Sequence, residues 1–468
     1  MNIEQIYTKC LAQGAYYIES NGEVAVIDPL RETTPYIERL QDSGAKVKYI
    51  FETHFHADFV SGHVDLAKKT GATIVFGPNA EPSFPFHSAR DQEEFKIGAL
   101  TLKVLHTPGH TMESSCFLLS NEKGKDIAVF TGDTLFIGDV GRPDLAQKAA
   151  DMTQEDLAGL LFNSLRSKVM VLNDDVVVYP AHGAGSACGK NMSSETFSTI
   201  GEQKASNYAL RIDMTEKEFI SELTDGLMPP PQYFGMNVRM NKTGYDSIDD
   251  VMERGLNALG LDEFSELLSN KDVILIDTRP ADEFAAGFIP GSIFIGLQGQ
   301  FAPWVGALIP TDNQKIILVT ETGSEKETVQ RLARVGYDNV LGFLEGGFKV
   351  WLSADNNIET VNRINVTEFM SLDFDQECII DVRKPGEYEA SHLKVSKSVP
   401  LDFINENIKS YPKNIPLLLH CAGGYRSMIA ASILKKNGFN AIEDLIGGYN
   451  ALPESFEQRT DFICPSTL

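Results

Sequence analysis

The chain has 468 residues, 43% of them hydrophobic, enough for two to four domains with real cores. Its formal charge of -24 has no offsetting basic tract, which argues against a nucleic-acid footprint or an anionic membrane partner and otherwise reads as plain solubility. No apolar stretch reaches membrane-spanning length, and Met1-Asn2-Ile3-Glu4-Gln5 lacks the pattern of a signal peptide. Cys10, Cys116, Cys188, Cys378, Cys421 and Cys464 are too sparse for a disulfide scaffold or paired zinc spacing, so a reducing, cytoplasmic setting is expected.

The first 190 residues read as short strands with some helices. Apolar runs predict strands at Val24 to Ile27, Val47 to Phe51, Ile74 to Phe76, Leu100 to Leu105 and Ile127 to Phe130. Helices fit Thr34 to Gly44, Gly62 to Thr70, Gln154 to Leu165 and Glu195 to Leu210. Pro229-Pro230-Pro231 breaks any regular element. The second half repeats itself at roughly 100 residues. Val273 to Arg279 matches Cys378 to Arg383, and Leu344-Glu345-Gly346-Gly347-Phe348 matches Leu445-Ile446-Gly447-Gly448-Tyr449, so two successive α/β domains are expected. The boundaries fall at 1–245, 246–358 and 359–468.

Four apolar runs of the first domain end in residues that bind metals. His54 and His56 stand two apart, His110 follows a Pro-Gly turn, Asp133 follows Ile127 to Phe130, and His182 follows Val176 to Tyr179. A lone histidine is more often structural than not, but five positions in this order predict a mixed nitrogen and oxygen site for iron, zinc or manganese. His54-Phe55-His56-Ala57-Asp58, Gly109-His110, Gly132-Asp133 and Ala181-His182-Gly183 resemble the metallo-β-lactamase superfamily. The resemblance implies an αββα sandwich, two sheets face to face between outer helices. Its dinuclear hydrolases usually carry a histidine after the aspartate. Phe59 stands there instead and has no donor atom, which compromises the second site, where Asp58 and His182 are retained.

Gly132 to Leu145 and Ala181 to Ser186 with Cys188-Gly189-Lys190 resemble the persulfide dioxygenases, which hold one ferrous ion. The ligands implied are His54, His110 and Asp133, with His56 a neighbouring polar residue or weaker ligand. Such a triad leaves positions open for a persulfide sulfur and dioxygen. Zinc, which has no redox chemistry, would instead suggest hydrolysis. Cys188 is either inert or a thiol near the metal that takes part in sulfur transfer. Arg142 either orients an anionic substrate or fixes its loop by pairing with Asp144.

Cys421 follows an apolar strand in His420-Cys421-Ala422-Gly423-Gly424-Tyr425-Arg426-Ser427, with Ser427 opening a helix. Backbone N–H groups of such a loop can hold a thiolate or persulfide, and Arg426 adds charge or clamps the loop. Loop length alone also admits phosphoryl chemistry, but the segment resembles the active loop of a rhodanese, with Asp381-Val382-Arg383, Glu387 and Gly447-Gly448 as supporting parts. The matching region of the middle repeat, Val319 to Lys326, has no cysteine and is expected to be structural or a docking surface.

The expected whole is a metallo-β-lactamase-like domain followed by an inactive and an active rhodanese-like domain. It would oxidise a low-molecular-weight thiol persulfide (glutathione, coenzyme A or bacillithiol type) with Fe(2+) and dioxygen to sulfite. Cys421 would give or use thiosulfate. The alternatives are a dinuclear zinc thioester hydrolase of glyoxalase II type with appended sulfurtransferase domains, and a noncatalytic sulfur-carrier scaffold. A homo-oligomer is left open.

Overall fold

A computed structural model describes residues 1–147, 151–190, 192–311, 313–374, 378–456 and 459–460; Cys464 lies outside them. Two compact units result, Met1–Ile248 with Ala333–Gly336, and Asp249–Leu332 with Tyr337–Leu468.

The first unit holds two six-stranded sheets. One comprises, in spatial order, β1 (Asn2–Thr8), β2 (Gln13–Ser20), β3 (Glu23–Ile27), β4 (Lys46–Glu52), β5 (Thr73–Phe76) and β6 (His87–Ser88). The other comprises β7 (Glu94–Ile97), β8 (Leu100–His106), β9 (Ser115–Ser120), β10 (Asp126–Gly132), β11 (Val177–Pro180) and β12 (Ser198–Thr199), again with sequence neighbours paired. Both sheet faces are apolar. Tyr16, Ile18, Phe51, Phe117, Leu119 and Phe130 fill the space between the sheets, each fully buried aliphatic or aromatic side chain contributing about 1.5–3 kcal/mol. On the outer face of the first sheet, Val24, Val26 and Ile50 meet Tyr36 and Leu66 of helices Thr34–Ser43 and His63–Thr70. On the outer face of the second, Leu118, Val129 and Val178 meet Leu157's neighbour Ala158, Leu161 and Phe219 of helices Gln154–Ser164 and Glu216–Thr224. This is the αββα sandwich.

The second unit contains two five-stranded, all-parallel sheets of one topology. The first runs β13 (Ala258–Leu259), β17 (Val340–Leu344), β16 (Lys315–Val319), β14 (Val273–Asp277), β15 (Ile293–Phe294). The second runs β18 (Asn362–Ile364), β22 (Ile442–Leu445), β21 (Leu417–His420), β19 (Cys378–Asp381), β20 (Lys397–Ser398). Buried on both faces, their central strands are continuous apolar runs.

Two expectations shift. The helix expected over Glu195 to Leu210 is confined to Ile200–Ser206, because Thr199 and Glu202 form a reciprocal capping box at its start and Asn207 caps a new turn, Tyr208–Leu210, at its end. The helix after Cys421 begins at Tyr425 rather than Ser427, since Gly424 adopts a left-handed φ of 94° that turns the chain into it two residues earlier.

Candidate metal centre and cysteine loop

Strands β8, β10 and β11 run the same way, and their carboxyl ends, with that of β4 from the facing sheet, carry the predicted ligands. Gly132 brings the two sheets together here: a Cβ on it would stand 2.6 Å from the Thr53 side chain, and its φ is 53°. One donor atom each of His54, His110 and Asp133 lies within 4.8 Å of the others, and all three residues are buried. His110 Nε2 stands 3.4 Å and His54 Nε2 3.8 Å from Asp133 Oδ2, near the spacing of about 3–3.5 Å that metal bonds of about 2.1 Å impose on neighbouring ligands.

The imidazoles are oriented from behind. His110 Nδ1 donates to the Arg142 carbonyl at 2.8 Å. Thr53 Oγ1 donates to Asp28 Oδ2 at 2.9 Å, so it accepts from His54 Nδ1 at 3.0 Å. Both tautomers are thereby set with Nε2 bare toward Asp133. Burial, then the nearby His56, His110 and His182, push the His54 pKa well below the usual range and keep it neutral. Neither Asp133 oxygen has a hydrogen-bond partner. A buried carboxylate so placed calls for a cation.

A second group forms alongside from His56, Asp58 and His182, again within 4.8 Å. His182 Nε2 is 3.4 Å from Asp58 Oδ2 and 3.5 Å from Asp133 Oδ1. Asp133 thus turns one oxygen to each group. Phe59 is fully buried, its ring 4.4 Å from the His56 ring and 6.4 Å from that of His182. His56 points Nε2 at Asp28 Oδ1, 3.1 Å away, and Glu52 Oε2, 3.6 Å away. Burial lowers its pKa, but Asp28, Glu52 and Asp58 outweigh this and lift it to about 9.

Cys188 brings a thiol within 4.8 Å of donors on Asp133 and His182. Burial, with Asp58 and Asp133, drives its pKa well up, so it is a thiol. Arg142 is a loop clamp: its guanidinium forks onto Asp144 at 2.6 and 2.7 Å and donates to the Ala187 and Met228 carbonyls. Those bonds occupy the charge expected to orient an anionic substrate, and its backbone carbonyl instead fixes His110.

Sequence reasoning passed over Asp28, Glu52, His63 and Asn241. Asp28 and Glu52 had a signal, as acids ending β-strand runs. Asn241 had none. From helix Phe234–Thr243 its amide donates to the carbonyls of His56 and Phe59, each at 2.8 Å, and its oxygen accepts from Ser61 N at 2.9 Å.

The cysteine loop is in the last repeat. Gly424 N donates to Cys421 Sγ at 3.1 Å and Ser427 Oγ lies 3.6 Å from it. Tyr449 N donates to the Cys421 carbonyl and Asn450 N to that of Ala422. Gly448 makes this approach possible, since a Cβ there would stand 2.4 Å from the Cys421 carbonyl. Arg426 forks onto Glu387 at 2.7 and 2.6 Å, so it clamps the loop to the helix Pro385–Ala390.

Among known families, the metallo-beta-lactamase superfamily matches residues 9–182 and the rhodanese-like domain matches 260–354 and 366–454. A hydroxyacylglutathione hydrolase, GloC, of Haemophilus influenzae is 29% identical over 44% of this chain and 97% of its own. The mitochondrial persulfide dioxygenase ETHE1 of Homo sapiens is 28% identical over 47% of this chain and 78% of its own. The crystal structure of a metallo-beta-lactamase from Staphylococcus aureus superposes with a TM-score of 0.65 at 30% identity, covering 74% of this chain and 98% of that one. Among the described residues no helix is long and apolar enough to cross a membrane. The buried cluster suits a divalent metal, iron and zinc alike, in a metal-dependent enzyme. The chain belongs to the metallo-β-lactamase superfamily and carries two rhodanese-like domains after the metal domain.

Proposed function

We propose that residues 1–245 oxidise a low-molecular-weight thiol persulfide to sulfite, that 359–468 carry sulfane sulfur on Cys421 to give or use thiosulfate, and that 246–358 are catalytically inactive. The observation that carries this reading is Phe59. It puts a ring without a donor beside His56 and His182, while His56 is engaged by Asp28 and Glu52. The His54, His110 and Asp133 group, two imidazoles and one carboxylate, has the composition of a ferrous triad with open positions.

Fe(2+) held there would supply dioxygen binding and electron exchange with the substrate's sulfur. The chain's residues do the rest. Thr53 and the Arg142 carbonyl hold the two imidazoles in the ligating tautomer. The cluster's burial keeps water from reactive sulfur. Cys421 divides sulfur transfer into loading and unloading, with Gly424 N–H supporting the charged sulfur. The similarity to a persulfide dioxygenase adds support.

A second reading, a dinuclear zinc thioester hydrolase of glyoxalase II type, is favoured by Asp133, whose two oxygens face the two groups, and by the similarity to GloC. Elemental analysis with anaerobic iron reconstitution separates them. One iron per chain and oxygen uptake with glutathione, coenzyme A or bacillithiol persulfide is expected. Two zinc ions per chain, with thioester hydrolysis and no oxygen uptake, would overturn the proposal.

A further inference from the structure

The two rhodanese-like repeats lie in one compact unit, and the register of their sheets aligns their loops residue by residue. Asp277 stands opposite Val319 and Asp381 opposite His420, so Thr320 holds the place of Cys421 and Ser324 that of Tyr425. The loops share a shape, with a φ of 95° at Gly323 and 94° at Gly424. They differ in how that shape is held. In the middle repeat the Gly323 N–H donates to Glu325 Oε2 at 2.8 Å, which closes the loop on itself. In the last repeat the matching N–H, of Gly424, donates to Cys421 Sγ at 3.1 Å. A donor that answers a changing charge on sulfur is not free to pin the loop as well. The loop is held from outside instead, on one side by the Arg426 fork onto Glu387.

The other hold comes from the middle repeat. Tyr425, next in the chain to Gly424, reaches out of its own repeat, and its Oη donates to the Gly296 carbonyl at 2.8 Å. Its ring lies 6.0 Å from that of Phe294 at 67°, and Phe294 is itself fully buried against Phe284. Gly299 completes the socket: a Cβ there would stand 2.2 Å from Cζ of the Tyr425 ring. The φ of Gly299 is not left-handed, so the space taken by the ring, and not a turn, requires the glycine. Two turns along the helix Tyr425–Lys436, the fully buried Ser432 Oγ accepts from Phe294 N at 2.9 Å and answers an N–H of the edge strand β15. Ser324, at the place of Tyr425 in the middle repeat, has no ring to seat.

We propose that the cysteine-free repeat is a working part of the sulfur-transfer site: by seating Tyr425 between Phe294, Gly296 and Gly299, it sets the Gly424 N–H against the sulfur of Cys421. This rests on reading Cys421 as a sulfur carrier. Tyr425 is a positioning residue and acts through Gly424. In the loading step the Cys421 thiolate attacks the outer sulfur of thiosulfate, that S–S bond breaks, and sulfite leaves with the electron pair. One S–S bond forms as one is lost, and no outside oxidant is needed. Negative charge leaves Sγ in this step and returns to it on unloading to an acceptor thiolate. An N–H already in place answers that charge without reorganisation, and a loop that drifts loses the advantage. Removing the seat therefore slows loading more than it weakens thiosulfate binding.

The test is the burst of sulfite released when the full-length protein is mixed with thiosulfate over a range of concentrations. Tyr425→Ala and Gly299→Ala are each expected to lower the maximal burst rate about tenfold, with the half-saturating thiosulfate concentration within about threefold of the parent's. Tyr425→Phe keeps the ring and loses only the bond to Gly296, and is expected to recover most of the rate. Gly299→Ala combined with Tyr425→Ala is expected to be no slower than the slower single variant, because the added methyl then meets no ring. Parent rates in both single variants, losses that multiply in the double one, a loss confined to thiosulfate affinity, or a Tyr425→Phe as slow as Tyr425→Ala would each overturn the seating. If Tyr425→Ala does not fold, Gly299→Ala and Tyr425→Phe decide. No burst from the parent would instead remove the sulfur-carrier reading itself.

Discussion

Phe59 and Asp28 decide what the metal centre can be, one by lacking a donor and the other by aiming one. Phe59→His would restore an imidazole next to Asp58 and His182, and metal content measured after zinc loading is expected to rise from one ion toward two per chain. Asp28 acts through Thr53, whose hydroxyl it orients toward the His54 imidazole. Asp28→Asn is expected to weaken metal binding about 10–100-fold, read by competition with a chelator. Beside the cysteine loop, burial would raise Glu387 of the helix Pro385–Ala390, but the hydrogen bonds and charge of Arg426 hold its carboxyl below its ordinary value. A carboxyl depressed on folding stabilises the native state above its unfolded pKa and loses that contribution as pH falls through the folded one. Glu387→Gln is therefore expected to cost about 1–2 kcal/mol at neutral pH and almost nothing in acid, where the parent is protonated too; denaturant melts at the two pH values check this.

At the scale of elements, the helix Phe234–Thr243 lies beyond the segment that matches the superfamily, yet it holds the metal loop closed. Asn241 alone satisfies two carbonyls and one N–H of residues 56–61. Asn241→Ala would leave them buried and unpaired, an expected loss of about 3 kcal/mol with a loosened His56–Asp58 segment, measurable as a lower melting temperature and faster metal release. This contact also marks the limit of what was legible in the sequence. Strand ends carrying His54, His110, Asp133 and His182 could be read because each is a local event, an apolar run stopping at a polar residue. The repeat could be read because β14 and β19 share a pattern. Asn241 meets His56 across 185 positions and Arg363 meets Asp444 across 81. Nothing local announces either partner, since both pairings are products of tertiary packing. The helix at 195–210 was overextended for the opposite reason, since its apolar pattern ran on through caps at Thr199 and Asn207 that stop it.

For the whole molecule, the question is whether the metal domain and Cys421 work on one stream of sulfur. Cys421→Ser is expected to abolish sulfane transfer to and from thiosulfate while persulfide-dependent oxygen uptake continues, with sulfite accumulating in place of thiosulfate. If thiosulfate still forms at the parent rate, the two halves are not coupled. Asp133, finally, has a bearing on how the protein lasts. Together with Asp28, Glu52 and Asp58 it places four acidic side chains in one buried part of the sandwich, and neither of its oxygens is answered by a hydrogen bond. Burial and neighbouring charge push Glu52 and Asp58 up, toward their neutral forms, and a cation bound at Asp133 would favour the ionised ones. An ion present at about a thousand times its dissociation constant adds about 4 kcal/mol to the folded state. The metal would then be a keystone of the first unit as well as its reagent, and a chelator would lower that unit's melting temperature long before any substrate was offered to it.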